Sequence, residues 1–294
     1  DRTPSMNFCV SISKLSPSAF PKELLEIPEP PKELFVRGEI PSPEFLRLAV
    51  VGSRKYTPYG KEVTKKLIEG LRGYPVAIVS GLALGIDSIA HEAALSAGLP
   101  TIAIPGSGLG ESVIYPRNNL TLAKRILENH GCLISELEPE EKAAPWTFPL
   151  RNRIMAGLSK AVLVIEAEKV SGTLITARLG TEYNKDIFTV PGSIFQSSSE
   201  GPHLLLKLGA TPIRESSDIL ESLGIEIEKK GETKNLFKEC SGEELLIINE
   251  LTVPKSRDEL KETLELNISQ INTTLTLLEI KGIIKEVGGK IFLS

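Results

Sequence analysis

Cysteine is scarce in these 294 residues: there are only three, beside two methionines and one tryptophan. Cys9, Cys132 and Cys240 are far apart, odd in number and outside any Cys-x-x-Cys or His-rich spacing. That excludes a disulfide framework or zinc cluster and leaves the expectation of reduced thiols with no structural metal. Long apolar runs are missing too, none approaching the roughly 20 residues that span a bilayer. Asp1 to Phe8 has neither the basic nor the apolar region of a secretion signal, so no membrane segment and a cytoplasmic location are the default expectations. Nor is there an excess of positive charge: 34 Lys and Arg face 38 Asp and Glu, for a net charge of −4. Any nucleic-acid surface must therefore be a local concentration of cations and backbone amides.

What is present is a patterned α/β chain, 41% hydrophobic and long enough for one large domain with a smaller companion. Residues 1–47 are proline-rich, with Pro17, Pro21, Pro28, Pro30, Pro31, Pro41 and Pro43 between short apolar clusters, and read as an extended N-terminal segment packing on a core. Residues 48–224 alternate short β-branched runs with amphipathic stretches. Strands are expected at 48–51, 76–80, 101–104, 132–134, 161–165 and 187–190, and helices at 59–72, 85–97, 120–129, 151–158 and 173–183. This is the pattern of an extended Rossmann-like, doubly wound parallel sheet. Residues 225–240 read as a charged linker. Residues 241–294 offer three helical patterns and a hairpin turning at Gly288-Gly289, the arrangement of a small winged-helix domain.

The chemistry concentrates where strands end. Gly52-Ser53-Arg54 follows the first strand of the sheet, at the edge where open parallel sheets bind ligands. Glycine admits close backbone approach, Ser53 offers a hydroxyl and Arg54 a planar fork matched to phosphate; a tight turn with an exposed arginine accounts for the same residues. Ser80-Gly81-Leu82-Ala83-Leu84-Gly85-Ile86-Asp87 ends the next strand, and its glycines allow amides to face an oxyanion. Phe148-Pro149-Leu150-Arg151-Asn152-Arg153 joins an aromatic for base stacking to two arginines for phosphate, although a buried Phe148 and arginines paired within the fold are the alternative. Ser171-Gly172-Thr173 opens a further helix with small hydroxyl residues at an anion-favouring terminus. His91 is read as a packed or surface histidine without a catalytic role.

Several signatures are missing at those same turns. There is no Gly-x-Gly-x-x-Gly with an acid closing the second strand, no Walker A lysine and no Gly-x-Ser-x-Gly elbow. Glu166, Glu168 and Glu182 remain as acids with no nucleophile among the motifs. The expectation is a binding protein with no cofactor and no catalytic residues.

In order, these motifs, with the Tyr115-Pro116 loop and Val190-Pro191-Gly192, resemble the DNA-processing protein A (DprA/Smf) family over about Phe20 to Arg214. The resemblance implies sequence-independent binding of single-stranded DNA, a homodimer, and loading of the RecA recombinase in natural transformation. Carried over, it places Gly52, Ser53 and Arg54 on phosphates, with Arg151, Asn152 and Arg153 around the groove and Phe148 close to it. Gly81, Ser171, Gly172 and Thr173 would line the pocket. Family members often carry a cation shortly before the Phe-Pro pair, whereas Ala143 to Thr147 hold none here and the nearest is Lys142. The final helix, Ile268 to Ile280, lacks Lys and Arg, which points away from duplex binding and toward a protein-interaction or weak DNA-contact role, with Lys281, Lys285 and Lys290 left for a modest wing contact. A nucleotide-processing hydrolase on the same fold is the alternative reading, though the Pro-Gly-Gly-x-Gly-Thr turn it requires is replaced by Ser171-Gly172-Thr173-Leu174.

Overall fold

The run Leu48–Val51 is apolar throughout because both of its faces are covered. Leu48 and Val50 sit in one hydrophobic core while Ala49 and Val51 sit in another, the period-two alternation of a strand buried on both sides. The computed structural model describes residues 10–226, 240–251, 255–264, 267–281, 283–287 and 289–293, and the chain divides into two compact units, 1–227 and 228–294.

The first unit carries a nine-stranded sheet: β1 (Ile12–Leu15), β2 (Leu34–Gly38), β3 (Leu46–Val51), β4 (Val76–Ser80), β5 (Thr101–Ala103), β6 (Cys132–Ser135), β7 (Ala161–Val164), β8 (Asp186–Thr189) and β9 (Thr211–Pro212). Their order is β1-β2-β6-β5-β4-β3-β7-β8-β9. From β6 to β9 every pairing is parallel, with Leu48 opposite Ile78 on one side of β3 and Val51 opposite Val164 on the other. The helices are α1 (Lys22–Leu25), α2 (Pro58–Glu69), α3 (Ile86–Ala97), α4 (Leu120–Glu128), α5 (Thr147–Leu158), α6 (Gly172–Glu182), α7 (Glu200–Lys207) and α8 (Ser216–Ser222). α2, α3 and α8 bury their apolar residues against one face of the sheet, and α5 and α6 against the other.

Local sequence explains where the helices start. Thr57 caps α2 by accepting from the Gly60 amide at 3.1 Å, with Pro58 at the first helical position. Ser171 caps α6 through the Thr173 amide at 3.2 Å.

The proline-rich start departs from expectation. Residues 12–15 and 34–38 do not merely pack on the core: they are strands β1 and β2, added antiparallel beside β6. Their prolines lie in the connections and not in the ladders, which is where proline does not cost a hydrogen bond. Arg37 is nearly buried within β2, its Nε donating to the Val10 carbonyl at 2.9 Å.

His91 on α3 is fully buried, its Nδ1 2.7 Å from the Thr101 hydroxyl, and Thr101 donates in turn to the Ile78 carbonyl. The imidazole is thus packed, and burial holds its pKa down at about 3. Because that folded value lies below the unfolded one, the stability it confers is present above about pH 6.5. It is lost as pH falls toward 3, at about 1.4 kcal/mol per pH unit. We expect urea midpoints of the wild type to drop more steeply than those of His91→Gln between pH 7 and 5. Parallel pH curves for the two proteins would refute it.

The second unit holds helices Gly242–Glu250, Arg257–Thr263 and Ile268–Ile280 and an antiparallel pair, β10 (Ile284–Val287) and β11 (Lys290–Leu293). Each helix opens with a capping box: Ser241 with Glu244, Ser256 with Glu259, and Asn267 with Gln270. Ile247, Leu260, Leu275 and Ile291 form part of its own core. The linker expected over 225–240 falls, except at its ends, outside the described residues, as do Cys9 and Gly288 of the expected hairpin turn.

Candidate nucleic-acid interface

From β3 the chain winds outward through β4, β5 and β6, then returns to place β7 on the other side of β3. The loops after β3 and β7 therefore lead to helices on opposite faces, and a crevice opens between them at the carboxyl ends of the strands. A cleft of about 500 Å³ occupies it, lined on one side by Gly52 to Lys55 and on the other by Glu168 and Val170 to Thr173. Asp87, Phe148, Arg151 and Asn152 complete its floor and wall.

Ten of the eleven expected residues converge here. Nine line the cleft and Gly81 lines a small adjoining hollow of about 40 Å³ with Arg54, Tyr115 and Phe148. Arg153 does not join them. It is nearly buried elsewhere, donating to the Glu29 carbonyl at 2.6 Å and pairing with the Glu136 carboxylate, so it ties α5 to the N-terminal segment and offers nothing to the cleft.

Arg151 reaches the cleft but is largely consumed within the fold. Its guanidinium donates to the Gly81 and Ile104 carbonyls and, at 3.1 Å, to Asn152 Oδ1. Burial pulls its pKa below the ordinary arginine value, with Asp87 opposing that shift. Arg151 is thus a buried positive charge beneath the cleft, and the surface cations are Arg54 and Lys55, both exposed.

The amides expected to hold phosphate after β4 already have an acceptor. Asp87 Oδ2 accepts from the Gly81 amide at 3.1 Å and the Ala83 amide at 3.4 Å, so the protein's own carboxylate sits where an external anion was expected. Asp87 is nearly buried, and its pKa is raised chiefly by that burial, with Arg151 and the two amides opposing. The glycines differ in the same sense. A Cβ on Gly52 would meet Ile86 at 2.6 Å, and one on Gly81 would meet Arg151 and Asp87, so both are glycine for packing. At Gly172 a Cβ would meet nothing within 4 Å, which leaves the start of α6 open to an incoming group.

Above this floor stand aromatic rings. Phe148 is half-buried against Gly106, and Tyr115 lies beside it with ring centroids 5.8 Å apart at 59°. The Arg54 guanidinium lies 5.5 Å from the Phe148 centroid. Ser53 is engaged locally, its hydroxyl donating to the Lys55 carbonyl at 2.9 Å. Lys55, Asp87 and Tyr115 belong to the site without having been singled out as site residues from sequence; adjacency to Arg54, a position in the first turn of α3 and an aromatic in the rim loop were the available signals. Glu166 proves to be an organiser: its buried carboxylate accepts from the Thr57 amide at 2.9 Å and hydroxyl at 2.5 Å and from Ser198 at 3.3 Å, joining the loops that frame the cleft. Among the described residues no group of acids, cysteines and histidines could hold a metal ion, and no helix is long and apolar enough to cross a membrane.

Comparison with known proteins identifies the family and the fold. Protein Smf of Escherichia coli is 44% identical over 204 residues, which cover 69% of this chain and 54% of that protein, so the chain spans about half its length. DNA processing protein DprA of Streptococcus pneumoniae is 42% identical over 201 residues, covering 68% of this chain and 70% of that protein. The X-ray structure of DNA processing protein A from Streptococcus pneumoniae superposes with a TM-score of 0.68 at 39% identity, covering 74% of this chain and 75% of that one. A Helicobacter pylori DNA processing protein A structure, described for its unique single-stranded DNA binding mode, gives 0.64 at 33% identity, over 72% of this chain and 95% of that one. Residues 12–224 match the family model for DNA recombination-mediator protein A, and the chain belongs to that family.

Proposed function

We propose that the cleft binds single-stranded DNA without sequence preference, and that the protein, as a cytoplasmic homodimer, passes the strand to a RecA recombinase during DNA uptake and recombination. The observation that carries this reading is Arg54: an exposed guanidinium with no hydrogen bond or ion pair among the described residues, held over an aromatic ring at the mouth of a switch-point cleft. It pairs a phosphate-binding fork with a stacking surface, and every base has a face to stack. The Helicobacter pylori neighbour, described as binding single-stranded DNA, supports it by likeness.

On this reading the protein is a binder and not an enzyme. The competing hydrolase reading draws on Glu168 in the lining and on a cleft volume in the range of small-molecule sites. Labelled oligo-dT is expected to bind in preference to matched duplex. Its log affinity should fall with log salt by about 0.7 per phosphate neutralised. Nucleoside monophosphates incubated with the protein should be recovered intact by chromatography. Preference for duplex, or release of base or phosphate, would sink the reading.

The second unit we read as a winged helix that contacts protein in preference to duplex DNA. Its helix Ile268–Ile280 carries no cation, and Lys255, Arg257 and Lys281 are paired with Glu250, Glu286 and Glu244 at 2.5, 2.6 and 2.8 Å.

A further inference from the structure

At the rim of the cleft and beyond it, on the side away from Tyr115, three apolar side chains project from two neighbouring loops. Val170 is 93% exposed on the loop after β7, and Ile194 and Phe195 are 79% and 92% exposed on the turn after β8. Large apolar side chains so free of contact are a surface to be covered. The loops that carry them are tied to each other and to α2. The Ala167 amide donates to the Ser198 carbonyl and the Gly201 amide to the Ala167 carbonyl, both at 2.8 Å, and the Tyr59 hydroxyl donates to the Pro191 carbonyl at 2.8 Å. Glu166 closes the assembly through Thr57 and Ser198.

Val170 is itself part of the cleft lining, and its loop is hydrogen-bonded to the segment that follows Ile194 and Phe195. Tyr115 follows β5 and Phe195 follows β8, with β4, β3 and β7 between, so the strands that lead to them are four strand spacings, or about 19 Å, apart. Arg54 and Lys55, after β3, stand between them. A mononucleotide held at Arg54 reaches one end or neither; a strand of several nucleotides reaches both.

We infer that the Val170, Ile194 and Phe195 surface is a second base-stacking platform, occupied by bases of the same single strand whose phosphates lie at Arg54 and Lys55. This rests on the proposed strand-binding role and adds its length and path. Cations at the centre and apolar faces at the ends match a polyanion with exposed bases.

The test compares dT12 with dT2 on wild type, Phe195→Ala, Phe195→Trp and Arg54→Ala. Phe195→Ala is expected to weaken dT12 about tenfold, leave dT2 within twofold, and be rescued by Phe195→Trp. Photocrosslinking of 5-iododeoxyuridine placed along dT12 should mark Phe195. If Arg54→Ala impairs binding and Phe195→Ala does not, the platform is wrong and the cleft stands. If neither substitution weakens binding, the cleft reading falls and the platform with it. If Phe195→Ala changes the sedimentation of the free protein, the patch is a contact between copies, which also overturns the proposal.

Discussion

Arg54→Ala is expected to weaken oligo-dT binding by about 30-fold and to reduce the salt slope by about 0.7. The size follows from what the side chain does. A hydrogen bond to a charged partner contributes about 2 kcal/mol, which is about 30-fold in affinity, and one fewer phosphate neutralised removes one increment of counterion release from single-stranded DNA. Arg151 cannot compensate, because it already donates to Gly81, Ile104 and Asn152. Arg54→Lys should restore the salt slope and only part of the affinity, since the ammonium keeps the charge but loses the fork and most of the stacking on Phe148. Folding should be unaffected, because Arg54 is exposed and makes no hydrogen bond or ion pair among the described residues. A change of less than twofold in titrations at 50 mM salt would remove Arg54 from the site.

Much of this site was legible because chemistry at the ends of parallel strands is constrained. Apolar runs buried on both faces announced β3, β4 and β7, and the turns after β3 and β7 had to share one edge. What misled was direction. Arg151 and Arg153 are two residues apart on α5, and helical positions i and i+2 do not face the same way. Arg151 accordingly turns toward Gly81 and Arg153 toward Glu136, a division that helical spacing foretells once the helix is known to begin at Thr147. The turn after β4 misled differently. Its glycines suggested room for a ligand, but Asp87 folds back and fills the acceptor role itself. Strands β1 and β2 were hidden by flanking prolines and by Arg37, a charge within a buried strand whose partners lie 27 to 74 residues away. Short strands completed by distant pairing leave little local signal.

The other large effect is expected at Asp87, where stability and binding pull against each other. Asp87→Ala should destabilise the protein by about 3–5 kcal/mol, the usual result of removing one partner of a buried charge arrangement, and lower the melting temperature by about 10 °C. The buried Gly81 amide and the partly buried Ala83 amide lose their acceptor, and Arg151 is left as a buried cation without its Asp87 counter-charge. Asp87→Asn separates these causes. It keeps an oxygen for Gly81 and Ala83 but removes the charge. Burial of that charge is the largest influence on the Asp87 pKa and raises it, so the folded value lies above the unfolded one. The associated stability is therefore greatest below the unfolded pKa and declines as pH rises through the folded value. At neutral pH the amide should cost less than half as much as the alanine in urea denaturation. It should also tighten oligo-dT binding, because a negative charge has been taken from the floor of a cleft that receives phosphates. Destabilisation of less than about 1 kcal/mol in Asp87→Ala would show that the two amides find other acceptors, and unchanged DNA affinity in Asp87→Asn would place the phosphates away from the turn after β4.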